Sequence, residues 1–433
     1  STLCFLQSDF SFFFYWEETE MAIWEKLYLQ EQWQAFLQYK EEKQHLSETE
    51  KKELEEYIQK KEYLDVLSQV EEKLLPLPLR KEINKTGASK KRVVYSFPKE
   101  FNYLLKLLTY CLQEYDELFG ENCYAFRRNY GVKDAVKCLK RQKELQNKYC
   151  LKADISNYFN SVDVPILLSK LSFLREKDEQ VYCFLAELLS RDEAIRAEGK
   201  EVCKITEKRG AMAGIPVSPF LANVYLMDVD RYFEAENVLY FRYSDDILLF
   251  ADSAEELERY KAQLFERLED NRLQINPSKL QEYQPAEAFE FLGFRFRQGE
   301  VDLAESTIVK IKGKIKRKAH ALRRWQQKKN LPPERAAKGF IKAMNRKFFV
   351  RGDGNEFSWC RWFFPCLTSD EGLKEIDAYM QEYVRFCVTG RHYKGNYRVS
   401  YAQMKEWGYK SLVHEYYQEK KDMESGADKR YGL

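Results

Sequence analysis

The stretch Leu239-Tyr-Phe-Arg-Tyr-Ser-Asp-Asp-Ile-Leu-Leu-Phe250 sets two adjacent carboxylates, Asp245 and Asp246, between two apolar runs. Apolar residues on both sides of a small polar tip predict two short strands joined by a tight turn, with the aspartates at the bend. Neighbouring carboxylates on a rigid hairpin repel one another, so the pair calls for a positive partner. Hard divalent cations prefer oxygen ligands, and Mg2+ typically takes one or two protein carboxylates together with substrate phosphates. Asp is also common in ordinary turns. The choice between a turn and a site therefore rests on the segments upstream.

Two of them supply companions. In Tyr149-Cys-Leu-Lys-Ala-Asp-Ile-Ser-Asn-Tyr-Phe159 an apolar strand runs into Asp154, and an aromatic follows five residues later. In Arg209-Gly-Ala-Met-Ala-Gly-Ile-Pro-Val-Ser-Pro-Phe-Leu-Ala-Asn-Val-Tyr-Leu226 a Gly/Pro-rich loop turns into an apolar helix. In this order and spacing the three segments resemble the palm motifs of reverse transcriptases, in particular the prokaryotic group that includes group II intron and retron enzymes. Tyr243-Ser-Asp-Asp246 is similar to that family's Tyr-x-Asp-Asp box, with Ser244 where Ala is most usual.

Composition bounds the rest. The 433 residues suffice for two or three domains, and 44% hydrophobic with 32% charged residues describes a soluble globular chain. No run approaches the roughly 18 consecutive apolar residues of a membrane span. The aromatic residues 10–16 lack a basic leader, so no signal peptide is expected. Ten cysteines without a Cys-x-x-Cys pair, and only four histidines, predict reduced thiols, a cytoplasmic location and no zinc site. The net charge of +2 conceals a strong segregation. Residues 17–73 hold 16 Asp/Glu against 8 Lys, whereas residues 308–351 hold 16 Lys/Arg against the single acid Glu334. Such a basic stretch is the electrostatic footprint of a nucleic-acid surface.

Along the chain, residues 1–75 read as an acidic helical extension. Trp24, Leu27, Tyr28, Glu31, Ala35 and Phe36 outline one amphipathic helix, and Ser47 with Glu50 a capping box for the next. Leu75-Pro-Leu-Pro-Leu79 marks a boundary. Residues 76–150, with a basic Gly turn, the strand Arg92-Val-Val-Tyr95, a helix over 102–118 and Cys123-Tyr-Ala-Phe-Arg-Arg-Asn-Tyr-Gly131, resemble the fingers of reverse transcriptases. Residues 151–300 are expected to form the palm and 301–433 a basic helical thumb and tail. The segments Gln274-Ile-Asn-Pro-Ser-Lys279 and Phe289-Glu-Phe-Leu-Gly-Phe-Arg-Phe296 resemble, respectively, the family segment with a lysine near the departing pyrophosphate and the primer-grip hairpin.

The resemblance implies an α+β right-hand polymerase fold, with an antiparallel palm sheet and a helical thumb, and an RNA-directed DNA polymerase. It implies two Mg2+ ions, Mn2+ being the alternative, held by Asp154, Ile155, Asp245 and Asp246. Asp154 and Asp245 take the bridging roles, Asp246 a peripheral one, and Lys279 that of general acid. It implies nucleotide contacts from Lys85, Arg92, Arg127, Phe159 and Gly214. Phe159 stands where the family places an aromatic that leaves no room for a 2′-hydroxyl. Nucleic-acid contacts are expected from Gly293 and from Lys314, Lys316, Arg317, Lys318, Arg323 and Arg324, with Lys310, Lys312 and Trp325 in the same stretch. One departure stands out: Met212-Ala213-Gly214 replaces the usual Pro-Gln-Gly, and Ala213 has no amide to offer a nucleotide.

The tail, Arg398 to Leu412, resembles the end of standalone bacterial enzymes, and no RNase H-like, maturase or endonuclease segment is expected. The chain is most similar to standalone defence-associated reverse transcriptases, of the second type. That implies a dedicated structured non-coding RNA as template, dNTPs as substrates, a DNA product and no membrane. The alternatives are template-independent synthesis of the abortive-infection kind, a retron- or intron-type enzyme, and an inactive RNA-binding scaffold.

Overall fold

The structure, a computed structural model, describes residues 21–43, 46–84, 91–198, 201–349, 358–392 and 398–424. Eleven strands occur among them: β1 (Leu79–Asn84), β2 (Lys91–Ser96), β3 (Tyr149–Asp154), β4 (Glu193–Glu198), β5 (Glu201–Thr206), β6 (Tyr240–Tyr243), β7 (Asp246–Ala251), β8 (Gln281–Tyr283), β9 (Phe289–Phe291), β10 (Phe294–Arg297) and β11 (Glu300–Leu303). They form three sheets, ordered β2-β1-β4-β5, β6-β7-β3-β8 and β11-β10-β9. The architecture is α+β, with the right-hand arrangement of fingers, palm and thumb.

The central sheet is antiparallel throughout. β7 is buried on both faces after its first residue, which is why it reads as the unbroken apolar run Ile247-Leu-Leu-Phe-Ala251. Side chains alternate between the faces of a strand. Leu151, Ala153, Tyr240, Ile247 and Leu249 accordingly join a core shared with the fingers and the N-terminal helices. Cys150, Phe241, Leu248 and Phe250 join a second core, shared with β9, β10, β11 and the C-terminal helices. The sheet is thus the wall between two hydrophobic cores, and its end is where the site lies.

The helix expected around Trp24 and Phe36 is two helices, Ile23–Lys26 and Gln30–Glu42. Leu29 between them is extended, and the Trp33 indole N–H donates to the Leu27 carbonyl at 2.9 Å, a group the break would otherwise leave unpaired. The Ser47–Glu50 capping box is present at the start of Glu48–Gln59. These helices rest on the helix Lys99–Leu112. Trp33, wholly buried, stacks on Tyr63 at 5.0 Å, and Tyr57 packs on Tyr103 at 5.1 Å. Past Leu112 the chain tightens into a 3₁₀ turn, Gln113–Leu118. The hairpin of β4 and β5 was not anticipated; β4 pairs parallel to β1 and extends the fingers sheet.

C-terminal to β11, the helix Glu305–Lys328 turns Ile308, Ile311, Ile315 and Ala319 inward at helical spacing. They face the helices Pro333–Phe349 and Glu371–Thr389, leaving Lys310, Lys314 and Arg317 outside. No described helix is long and apolar enough to cross a membrane.

Because Trp33 is the largest fully buried side chain among the described residues and packs between Tyr57 and Tyr63 of the N-terminal helices, Trp33→Ala should lower the unfolding free energy by about 3–5 kcal/mol. Denaturant titration of both proteins measures it.

Candidate active site

Tyr243 pairs with Asp246, so the turn between β6 and β7 contains only Ser244 and Asp245. Ser244 adopts φ +61°, as the first position of a tight two-residue hairpin turn favours. Asp246 opens β7 rather than sitting in the bend. Asp154, 4% exposed, ends β3 as the direct cross-strand partner of Asp246. The Asp245 carbonyl accepts the Ile155 N–H at 3.1 Å, tying the turn to the end of β3. Three carboxylates from two strands and a turn therefore meet at one end of the sheet.

The segment after Leu273 closes the other side. Asn276 N–H donates to the Asp154 carbonyl at 2.7 Å, and its side-chain amide reaches Asp154 Oδ1 at 3.4 Å. The Lys279 ammonium pairs with Asp154 Oδ2. Burial first, then the Asp154 charge, raises the Asp245 carboxyl above its usual range, against the opposing pull of Lys279 and Arg92. Burial and the charges of Asp245 and Asp154 push Asp246 up to about 6, against Lys152 and Lys279. Burial and mutual repulsion thus outweigh the pull of these cations on both carboxyls. Among the described residues no group of three or more His, Cys, Asp or Glu side chains forms a ready-made metal cage. The nearest cation to Asp154 is the lysine. Carboxylate oxygens that repel one another are a hard donor set of the kind a divalent ion takes.

What holds the hairpin is Arg242, which the sequence reading left unassigned. It is fully buried and paired with Asp230, also fully buried, on the helix Ser218–Ala235. Its Nε donates to Asp230 Oδ1 at 2.7 Å, while Nη1 reaches Asn223 Oδ1 and the Ser244 carbonyl, both at 3.3 Å. Tyr240 Oη also donates to Asp230, at 3.1 Å. One guanidinium thus ties the palm helix to the carbonyl at the tip of the catalytic turn. A charged residue inside an otherwise aromatic strand was the available signal.

The other expected residues separate into groups. Phe159 is half-buried and lies edge-to-face with Phe126, ring centres 6.1 Å apart. Arg92 is exposed on β2 and acts electrostatically on Asp245. Lys85 lies outside the described residues. Arg127 is committed elsewhere: its fork holds Asp116 at 3.0 Å and the carbonyls of Gly120 and Cys123 at 2.7 and 3.1 Å, and it stacks on Tyr130. Those bonds leave it a strut of the fingers rather than a triphosphate contact. Gly214, at φ +105°, turns its backbone toward Tyr95; a Cβ there would lie 2.9 Å from the Tyr95 carbonyl. The neighbouring Ala213 uses its N–H on Asn160 Oδ1 (2.9 Å) and its carbonyl on the Tyr95 N–H (2.8 Å), so this loop fastens β2 to the palm.

On the thumb side, Gly293 (φ +87°) completes the turn between β9 and β10, and a Cβ would fall 2.9 Å from Thr307 Oγ1. That hydroxyl donates to the Gly293 carbonyl at 2.9 Å, so the hairpin and the basic helix are joined at their start. Lys314, Lys316, Arg317, Lys318 and Arg324 are exposed. Arg323 is not available in the same way, because its Nη1 caps the helix Glu371–Thr389 at the Cys387 carbonyl, 3.0 Å away. Burial, then repulsion from Lys347, Arg317 and Lys310, depresses the Lys314 ammonium, which places these cations in one cluster. Lys347 comes from the second thumb helix and was not anticipated. A cleft of about 620 Å³ connects the two halves, lined by Asp154, Asp246 and Lys279 on the palm and Gly293, Lys310 and Lys314 opposite.

An antiparallel sheet with three carboxylates at its end thus faces a basic helix across one cleft. Residues 83–296, the segment that holds Asp154, Asp245, Asp246 and Lys279, match the family Reverse transcriptase (RNA-dependent DNA polymerase). The chain is also similar to three solved telomerase structures. An apo Candida tropicalis telomerase truncated from its C-terminal domain has 14% identity and TM-score 0.41, covering 52% of this chain and 55% of that one. A Candida albicans telomerase with a fragment of telomeric RNA has 13% identity and TM-score 0.43, covering 84% and 70%. A second apo C. tropicalis telomerase has 15% identity and TM-score 0.41, covering 76% and 67%. This chain therefore spans about half of the first and about two thirds of the others. Comparison with curated proteins returns no match.

Removing one member of the buried pair strands the other charge. Arg242→Met should cost about 3–5 kcal/mol of stability. Arg242→Met combined with Asp230→Leu should recover much of that loss, as thermal unfolding of the single and double variants measures.

Proposed function

We propose that the chain synthesises DNA on an RNA template, extending a primer from the cleft between palm and thumb. The observation that carries this reading is the cleft itself: the carboxylates stand on one wall and the phosphate-neutralising lysines 310 and 314 on the other. Asp154, Asp245 and Asp246, with Ile155 beside them, are the residues that would hold two Mg2+ ions, or Mn2+. Bound there, the ions would lower the pKa of the primer hydroxyl and offset charge on the leaving pyrophosphate.

The chain's own residues do the rest. Lys279, within electrostatic reach of all three carboxylates, would hand a proton to the leaving group once phosphates drew it from Asp154. Arg92, on the fingers strand and within electrostatic reach of Asp245, would meet the triphosphate, and so would Lys85. Phe159 would exclude a 2′-hydroxyl by filling its space. Lys310, Lys314, Lys316, Arg317, Lys318 and Arg324 would follow the duplex backbone, a contact that positions without reading sequence.

The finer reading is a cytoplasmic bacterial enzyme, acting against phage and copying one dedicated structured non-coding RNA. It is supported by the resemblance of the tail and of the motif set to standalone defence enzymes. Template-independent synthesis is the second reading, favoured by Ala213, whose side chain offers a nucleotide no hydrogen bond.

Primer extension on an RNA template tests the first reading. Asp245→Asn should lower the rate by about 10²–10³-fold or more, and EDTA should stop the reaction until Mg2+ is restored. An unchanged rate in Asp245→Asn would favour the scaffold. Product formed without template would favour the second reading. Replacing Lys310 and Lys314 by Gln should weaken template–primer binding uniformly across sequences and reduce the salt slope by roughly one per lost contact. Sequencing the RNA that copurifies from the native host separates a dedicated template from a general one.

A further inference from the structure

Phe126 sits where nothing in folding rewards it. Its φ is +60°, a conformation that a bulky residue rarely adopts, and the residue is 41% exposed. The two residues before it, Tyr124 and Ala125, are buried. The strain is imposed from both sides. Tyr124 N–H donates to the Arg242 carbonyl at 2.9 Å, the Asn223 amide donates to the Ala125 carbonyl at 2.7 Å, and Arg127 is anchored by its fork to Asp116, Gly120 and Cys123. Positive φ is not confined to the site: of the twelve other such non-glycine residues among those described, Asn157, Met212 and Ser244 lie in the three motif segments and nine lie elsewhere. Backbone strain that the surroundings over-determine, beside an active site, points to a displayed side chain.

What the ring is displayed to is also given. It lies edge-to-face with Phe159, at 6.1 Å and 63°, and 6.4 Å from the ring of Tyr243, two residues before Asp245. Phe159 has further support from Tyr158 at 5.6 Å, on its core side. Phe126 is the support on the open side. An edge-to-face pair fixes the tilt of the ring it touches.

We propose that Phe126 is a positioning residue for sugar discrimination: its edge holds the Phe159 ring in the plane that fills the space of a ribose 2′-hydroxyl. The inference rests on the reading of Phe159 as the sugar-excluding residue. Without Phe126 the Phe159 ring is free to tilt away, and ribonucleotides gain entry while the carboxylates are untouched.

The test uses the full chain with polyriboadenylate as template and an oligo(dT) primer, comparing kcat/KM for dTTP with that for UTP. Phe126→Ala and Phe126→Gly should lower the dTTP preference roughly three- to tenfold, the scale of one aromatic pair, mostly through a lower KM for UTP. Phe126→Tyr should restore the preference. Gly accepts a positive φ without strain, so Phe126→Gly should melt no lower than the parent chain. A large drop in its melting temperature would make the ring a folding element and overturn the proposal. Phe159→Ala separates the two ideas. If it relaxes selectivity and the Phe126 variants do not, the role of Phe126 falls alone. If Phe159→Ala leaves selectivity unchanged, the reading of Phe159 falls, and this proposal with it.

Discussion

The buried pair of Arg242 and Asp230 is the constraint on which the site depends. Placing both charges out of water costs several kcal/mol for each ion, which only good geometry recovers. Here the guanidinium spends its donors on the Asp230 carboxylate, Asn223, the Cys123 sulfur and the Ser244 carbonyl. The last of these is at the tip of the turn that carries Asp245. A bond to a turn carbonyl from a side chain locked inside the core makes the hairpin part of the palm helix rather than a free loop. Asn223 extends the same lattice to the fingers through the Ala125 carbonyl. The carboxylates are therefore held by a network that touches none of their own oxygens.

Around this anchor the charges divide by purpose. Arg127 and Arg323 are spent on carbonyls and, for Arg127, on Asp116. Arg242 is spent on Asp230. Lys279 holds Asp154, and Lys310, Lys314, Arg317 and Lys347 face outward together, repelling one another. A cluster of like charges is unfavourable by itself, and so is a buried cluster of carboxylates. The two face across one cleft, and under the proposed function metal and phosphate bound between them would relieve both.

Much of this was legible in the chain. The hairpin announces itself because a strand buried on both faces must be apolar, as β7 is after Asp246, and because a two-residue turn restricts its own residues. Asp154, Asp245 and Asp246 come together by strand register, Asp154 opposite Asp246, a local rule that needs only the order of the motifs. The capping box of Ser47 and Glu50 is equally local. The break before Gln30 was not visible, because it depends on the Trp33 indole reaching back to Leu27. The β4–β5 hairpin, Ala-Ile-Arg-Ala-Glu paired with Val-Cys-Lys-Ile, has mixed polarity and gives a weak strand signal.

The sequence by itself determined the carboxylate set, the palm sheet and the basic helix, since each is written in short-range periodicity and residue type. Only the tertiary structure decided which cations remain for a ligand. Arg127 and Arg92 are both basic residues of the fingers; one is enclosed by carbonyls and the other exposed, within electrostatic reach of Asp245. Arg323 and Arg324 are neighbours on one helix, yet the first caps a helix 64 residues away and the second is exposed. The fate of a charge is set by partners that the chain brings together from a distance, and no local pattern records them.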